Sequence, residues 1–223
     1  MPEAIIPILR TFPLFTDARE ATLRALIPNC VFQSYSAGIE INRHGEPPRF
    51  VHCLRTGSVE AWSRINASET ILLAVDAPVV FEVATAVRGS PSPVSLITRE
   101  ASESLAIETA AFLQALRDDA GLCYAALEHS SRSNLLLIDR LLDQKLRTAE
   151  QRLGQWILLQ LSRSQDKSLI RLTYSKRALA LELGMTPANL SRLFNVLRDH
   201  GVDVDGKTMA ITDFERLRTL AEG

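Results

Sequence analysis

Arg192, with Asn189 and Ser191 just before it, forms the most chemically specific group of side chains in the sequence. An arginine fork matches guanine O6 and N7 in the major groove, the commonest specific contact to a base edge. Asn and Ser pair with other base edges, and the four positions Ala188, Asn189, Ser191 and Arg192 are the candidate base contacts. Ser175, Lys176, Arg177, Thr186 and Lys207 are the candidate phosphate contacts, which fix register without carrying sequence information.

Such residues work only if one helix end is presented to a groove, and the local pattern supplies that element. Residues 175–200 read SKRALALELGMTPANLSRLFNVLRDH. Ser175 is a good N-cap for a first helix ending at Leu183, with Gly184 as the left-handed residue after it. Thr186 caps a second helix and Pro187 takes its first position, where a missing N–H costs nothing. Ala180 must be small where the second helix crosses, while Leu179, Leu183, Met185, Leu190 and Leu193 supply the apolar contact. The spacing predicts a helix-turn-helix, with the second helix meeting base edges through its first two turns. Asp205-Gly206 between Val202-Asp203-Val204 and Lys207 to Ile211 is a strong hairpin signal, and a hairpin directly behind a helix-turn-helix is a wing.

The rest of the chain divides into two patterns. Between Pro13 and Glu108, short apolar pieces such as Val51 to Leu54, Val59 to Trp62 and Ile71 to Val75 alternate with turn formers at Ser36-Ala37-Gly38, His44 to Pro48, Thr56-Gly57-Ser58, Asn66-Ala67-Ser68 and Gly89-Ser90-Pro91. Strands at this spacing predict a β-sandwich or barrel, preceded by a helix near Asp17 to Ile27. From Thr109 the apolar period changes to that of a helix, and no Pro or internal Gly interrupts Gly121 to Arg147. Leu127, Asn134 and Leu141 fall seven apart, with Leu137 and Ile138 on the alternating step. A heptad seam with one polar Asn resembles a short dimeric coiled coil; the alternative is a single amphipathic helix lying on its own barrel. The expected fold is α+β: a β-sandwich or barrel over residues 1–120, a long helix over 121–147 and a winged helix-turn-helix over 148–223.

Composition limits the function classes. The 223 residues are 46% hydrophobic and 23% charged, which is a globular average and argues against a disordered or fibrous chain. Cys30, Cys53 and Cys123 are odd in number and far apart, so no disulfide framework or tight metal-ligand spacing is expected. There is no basic n-region followed by an apolar core, and no run of 18 apolar residues, so the expectation is a reduced, cytoplasmic protein without a membrane span. The formal charge of −1 hides an asymmetry: the part from Thr148 has a small basic excess and the part before it an acidic one. Thr186 to Asp199 carries Arg192 and Arg198 against one acid, Asp199. Local field matters more than total charge for a nucleic-acid partner, and modest nonspecific affinity is the expected result.

These features resemble the cyclic AMP receptor protein and FNR superfamily of bacterial transcription regulators along nearly the whole chain. Tyr35-Ser36-Ala37-Gly38, His44-Gly45-Glu46 and Thr56-Gly57-Ser58-Val59 look like the family's β-roll turns, Gly121 to Arg147 like its dimerisation helix, and Ser175 to Lys207 like its winged helix-turn-helix. The resemblance implies a non-enzymatic regulator, activator or repressor. It would bind a palindromic double-stranded DNA site as a homodimer, with interface residues Leu127, Asn134, Leu137 and Leu141, and would meet RNA polymerase, for which the loop Ser164 to Lys167 is available. Pro187 and Ser191-Arg192 resemble the FNR-like, nitric-oxide-responsive branch more than the cyclic AMP branch. That branch's Glu before Ser-Arg is replaced by Ala188, which removes an acceptor for cytosine N4.

The resemblance places an effector pocket at Glu82, Ser92, Leu137 and Ile138, and there the sequence departs from the family. The cyclic AMP branch has Gly-Glu for the ribose and, ten residues on, Arg-Ser for the phosphate; here Phe81-Glu82 is followed by Ser92-Pro93. A phosphate without its Arg lacks a charge-assisted partner, and Leu137-Ile138 replace a Thr-Ser pair that meets adenine, so cyclic AMP is not the expected effector. Three scattered cysteines also disagree with a four-cysteine iron–sulfur cluster. Haem stays open as the cofactor of a gas-sensing alternative, with His44, His52, Cys53 and His129 as candidate axial ligands. A more distant alternative is a cupin-like metalloenzyme using His44, Glu46 and His52, although a paired H-x-H on one strand is lacking.

Overall fold

A computed structural model describes residues 5–66, 68–164, 166, 168–172 and 175–222. The chain forms two compact units, Met1–Leu136 and Leu137–Gly223.

The first unit opens with α1 (Ile5–Arg10) and α2 (Glu20–Leu26). Among the described residues eight strands follow: β1 (Cys30–Tyr35), β2 (Glu40–Asn42), β3 (Phe50–Thr56), β4 (Ser58–Ile65), β5 (Ser68–Asp76), β6 (Val79–Phe81), β7 (Ser95–Thr98) and β8 (Ser102–Glu108). They make two antiparallel sheets, in the orders β1-β8-β3-β6 and β2-β7-β4-β5, as the short alternating segments predict. A short helix, α3 (Val83–Arg88), lies between β6 and β7, and α4 (Thr109–Asp118) follows β8.

Strand alternation sorts the side chains. Val51 and Cys53 of β3, with Leu105 and Ile107 of β8, enter a core cluster with Leu9, Phe12, Phe15, Leu23 and Phe112 from the surrounding helices. Phe15 and Phe112 meet edge to face, their centroids 6.4 Å apart. His52, between Val51 and Cys53, points to the opposite face and is also buried. On the second sheet the buried Glu60 pairs at 3.1 Å with Arg99, which follows β7 and is half-buried, and the Trp62 indole donates to Glu60 Oε2 at 2.8 Å.

A long helix, α5 (Ala120–Leu146), crosses the division between the units. Its start is fixed by Asp119, whose Oδ1 accepts from the backbone N–H of Gly121 (3.0 Å) and of Leu122 (3.2 Å) while Oδ2 accepts from that of Arg19 (2.8 Å). Burial pushes the Asp119 carboxyl up, but donation from Arg19, Thr22 and Leu122 outweighs it and brings the pKa down to about 2.

The second unit begins with α6 (Ala149–Arg163), opened by a capping box between Thr148 and Gln151. Then come β9 (Leu169–Arg171), α7 (Lys176–Glu182), α8 (Pro187–Asp199), β10 (Val202–Asp205), β11 (Thr208–Ile211) and α9 (Phe214–Glu222). Leu153, Ile157, Leu179, Ala180, Leu190, Leu193, Leu197, Val202, Met209 and Leu217 make its core. Two elements go beyond the sequence-based expectations: β9, the third strand of a β10-β11-β9 sheet, and α9, which packs on α6 closely enough that a Cβ on Gly154 would lie 3.1 Å from that of Ala221. In the Ser164–Lys167 loop, Gln165 and Lys167 lie outside the described residues. Among the described residues no helix is long and apolar enough to cross a membrane.

Candidate nucleic-acid interface

The helix-turn-helix forms from the caps that its sequence carries. Ser175 Oγ accepts from the Ala178 N–H at 3.1 Å, and Thr186 Oγ1 accepts from the Asn189 N–H at 3.2 Å. Between the helices, the Gly184 N–H donates to Leu181 O (3.1 Å) and the Met185 N–H to Ala180 O (2.9 Å), which is a Schellman ending. Gly184 has φ +63°, the left-handed region a Cβ disfavours. This turn sets where α8 starts, and hence which residues of α8 face outward.

Leu190, Leu193, Phe194 and Leu197 form the buried face of α8. Ala188, Ser191, Arg192, Asn195 and Arg198 are exposed, in steps of three and four that define one stripe, and Asn189 is half-buried beside it. Asn195 is absent from the sequence-based candidates, although its spacing from Ser191 and Arg192 already places it on their face. Arg192 donates to Asn189 Oδ1 at 2.8 Å. The Ser191 hydroxyl donates to Pro187 O at 2.9 Å, so what it offers outward is an acceptor.

Among the phosphate candidates, Lys176, Arg177 and Lys207 are exposed. The Lys176 ammonium lies 4.9 Å from the centroid of the Phe194 ring, which ties the start of α7 to α8. Lys207 sits in the wing turn, where its carbonyl accepts from the Leu172 N–H at 2.8 Å. The wing differs from the expected turn by one residue. Asp205 pairs with Thr208 in the ladder, so the two-residue loop is Gly206-Lys207, with Gly206 at φ +57°. Glycine at the first loop position is the pattern of a type II′ turn.

In the first unit, Glu82 and Ser92 come together as their ten-residue spacing suggests, but they bond to each other. Glu82 Oε1 accepts from Ser92 Oγ and from Asn42 Nδ2, each at 3.1 Å, and Oε2 accepts from the Thr85 hydroxyl. These bonds hold a non-glycine residue at φ +68°, which costs about 1 kcal/mol or somewhat more. A cavity of about 340 Å³ lies beside Asn42, lined also by Gln33, Tyr35, Arg49, Phe50 and His52. Leu137 and Ile138, the other two residues of the expected pocket, belong to the second unit and are exposed.

The candidate haem ligands are dispersed. His44 is exposed in a turn, and Cys53 is fully buried in the helix-side core. His129 is half-buried on α5 with a hydrogen bond to the Val80 backbone. His52 lies between Phe50 and Phe81, with centroids 6.1 and 6.0 Å away, and its Nδ1 is 3.4 Å from Ser104 Oγ. Among the described residues, no three of His, Cys, Asp and Glu come together as a metal cluster would require.

Burial lowers the His52 pKa to about 4, so the folded unit holds it neutral. An unfolded histidine titrates near 6.5, so the unfolded chain binds a proton that the folded one refuses as pH falls from about 6.5 to 4. The stability contributed by neutral His52 is present above about pH 6.5 and is lost toward pH 4, by at most about 3 kcal/mol. His129 is shifted the same way, first by burial, and adds to the same slope. Urea unfolding between pH 7 and 4 should therefore be markedly flatter with pH in a His52→Phe protein; an unchanged slope would contradict this assignment.

The heptad residues Leu127, Asn134 and Leu141 are exposed, Leu127 by 63% and Leu141 by 56%. Leu135, Leu136, Leu137, Ile138, Leu142 and Leu146 on the same helix are exposed as well. This is far more contiguous apolar surface than one solvated helix usually carries.

Comparison with known proteins gives this geometry its context. Residues 151–220 match the model of the Crp-like helix-turn-helix domain, and residues 32–119 match that of the cyclic nucleotide-binding domain. The two spans together cover more than two thirds of the chain, and the protein belongs to the Crp/Fnr superfamily as a DNA-binding transcription regulator. Among solved structures, the chain is similar to a regulatory protein of Silicibacter pomeroyi DSS-3 whose description names cAMP binding (28% identity, 99% of this chain and 100% of that one, TM-score 0.62). It is also similar in fold to FixK2 from Bradyrhizobium japonicum (19% identity, 86% and 96%, TM-score 0.74). A transcriptional regulator of the Crp/Fnr family from Eubacterium rectale gives a TM-score of 0.80 at 15% identity, over 95% of this chain and 99% of that one. A search of curated proteins returned no match.

Proposed function

We propose that this regulator binds a palindromic DNA site in the cytoplasm as a homodimer, placing one copy of α8 in each of two successive major grooves. The observation that carries the reading is the outward stripe of α8, with Ser191 and Arg192 in the turns that follow the Gly184 bend. The wing at Gly206-Lys207 and the capped starts of α7 and α8 supply the phosphate contacts. Two-fold symmetry comes from α5: pairing two copies covers Leu127, Ile138 and Leu141, and Asn134 fixes their register.

The effector of this reading is not cyclic AMP. Both carboxylate oxygens of Glu82 already accept hydrogen bonds from the chain's own Asn42, Ser92 and Thr85, and Ser92 occupies the place where a phosphate would need an arginine. In the presence of cyclic AMP, the DNA affinity and the melting temperature should both stay unchanged.

Charge placed on the seam tests the dimer. A Leu127→Glu/Leu141→Glu protein should sediment as a monomer with its helix content retained. Its affinity for a palindromic duplex should fall by at least about 100-fold, because two half-site contacts no longer act as one. A protein that stays dimeric, or a monomer that binds the palindrome as tightly as before, would refute the seam. The wild-type affinity should fall steeply with salt, as expected when each protomer neutralises several phosphates.

A further inference from the structure

Asn189 is a candidate base contact by residue type, but its hydrogen bonds give it another role. We infer that Asn189 positions Arg192 for base reading and does not read a base itself. This rests on the reading of α8 as the DNA-recognition helix.

Asparagine recognises adenine by using both ends of its amide, with Oδ1 accepting from N6 and Nδ2 donating to N7. In this structure Asn189 Oδ1 accepts from the Arg192 guanidinium at 2.8 Å, so one of its two acceptor sites is taken and the amide oxygen is turned toward Arg192. The anchor is itself fixed. Thr186 Oγ1 holds the Asn189 backbone N–H at 3.2 Å, and the residue is half-buried at the first turn of α8, one turn before Arg192. Arg192, by contrast, is exposed on a long flexible stem. Binding Arg192 to Asn189 removes much of that freedom before DNA arrives, and it uses one of five N–H donors, leaving enough for a bidentate guanine contact. The neighbouring Ala188 has no polar group that could hold the guanidinium instead.

Asn189 and Arg192 therefore act as one unit reading one base pair. The test compares wild type, Asn189→Ala, Asn189→Asp, Arg192→Ala and the Asn189→Ala/Arg192→Ala double variant. Each is titrated against the preferred duplex and against duplexes substituted at every half-site position. Asn189→Ala should lower discrimination about 3- to 10-fold at the same base pair that Arg192→Ala affects, as expected for one hydrogen bond. The double variant should match Arg192→Ala within about twofold, the non-additivity of a coupled pair. Asn189→Asp keeps the acceptor and should keep the preference, which separates positioning from mere helix stability. The inference is overturned if Asn189→Ala relaxes a different base pair, if the two losses multiply, or if Asp fails where Asn succeeds. If Arg192→Ala leaves every base preference intact, the reading of α8 fails as well, and that outcome is distinct from the others.

Discussion

Arg192→Ala should reduce affinity for the preferred palindrome by about 30-fold to about 10⁴-fold while leaving binding to unrelated DNA nearly unchanged. A good bidentate arginine–guanine contact discriminates by about 1–3 kcal/mol, and a two-fold symmetric complex loses it twice. Arg192 is exposed and outside the core of its unit, so the variant should fold normally. The loss should be concentrated at one symmetric pair of base positions, where the preference for guanine disappears. A phosphate contact behaves differently. Lys207→Ala should weaken binding to all sequences alike and lower the salt dependence by about one ion per protomer. If Arg192→Ala behaved in that second way, it would be a phosphate contact and α8 would read DNA through other residues.

Within the second unit, a large expected effect on stability is at Gly201, between α8 and β10. Its φ of +74° is a left-handed conformation, and an added Cβ would lie 2.4 Å from Asp213 Cβ, 2.6 Å from Asp213 O and 2.8 Å from Asp213 Cα. Two of these are backbone atoms, held because Gly201 O accepts from the Thr212 N–H at 2.8 Å and from the Asp213 N–H at 3.1 Å. Asp213 also caps α9, accepting from the Arg216 N–H at 3.0 Å. Neither side can yield without disturbing the start of α9. Gly201→Ala should therefore destabilise the second unit by on the order of 3–4 kcal/mol, combining left-handed strain with overpacking. Gly206→Ala is the control: its φ of +57° is similar, but open space surrounds it, so about 1 kcal/mol is expected. Urea unfolding followed by Trp156 fluorescence in a Trp62→Phe background would measure both, because Trp156 is buried in the second unit. Equal losses at the two glycines would contradict the packing argument.

What the sequence revealed depended on the range of the interactions involved. Helix caps are local, so Ser175, Gly184, Thr186 and Pro187 could be placed to the residue, and each takes the expected position. The two-sheet first unit was legible from turn spacing, and the long helix from the lack of Pro and Gly between Gly121 and Arg147. The wing turn was displaced by one residue because Asp-Gly fits either the two loop positions or the strand end and first loop position, and the ladder pairing of Asp205 with Thr208 decides. Strand β9, with only three residues, has too short a pattern to stand out, and its place comes from pairing with β11. The bonds that occupy Glu82 depend on Asn42, forty residues earlier, and no local pattern announces such a partner. The same holds for the direction of the Ser191 and Arg192 hydrogen bonds, which residue type leaves open.

The central claim is that two copies of α8 read a two-fold symmetric site one helical turn apart. Selection of bound duplexes from a random pool, followed by sequencing, tests it most directly. The expected result is an enriched palindrome with half-sites about 10 base pairs apart from centre to centre and a guanine at the position that Arg192→Ala relaxes. An asymmetric single site, or no enriched motif at all, would contradict the account.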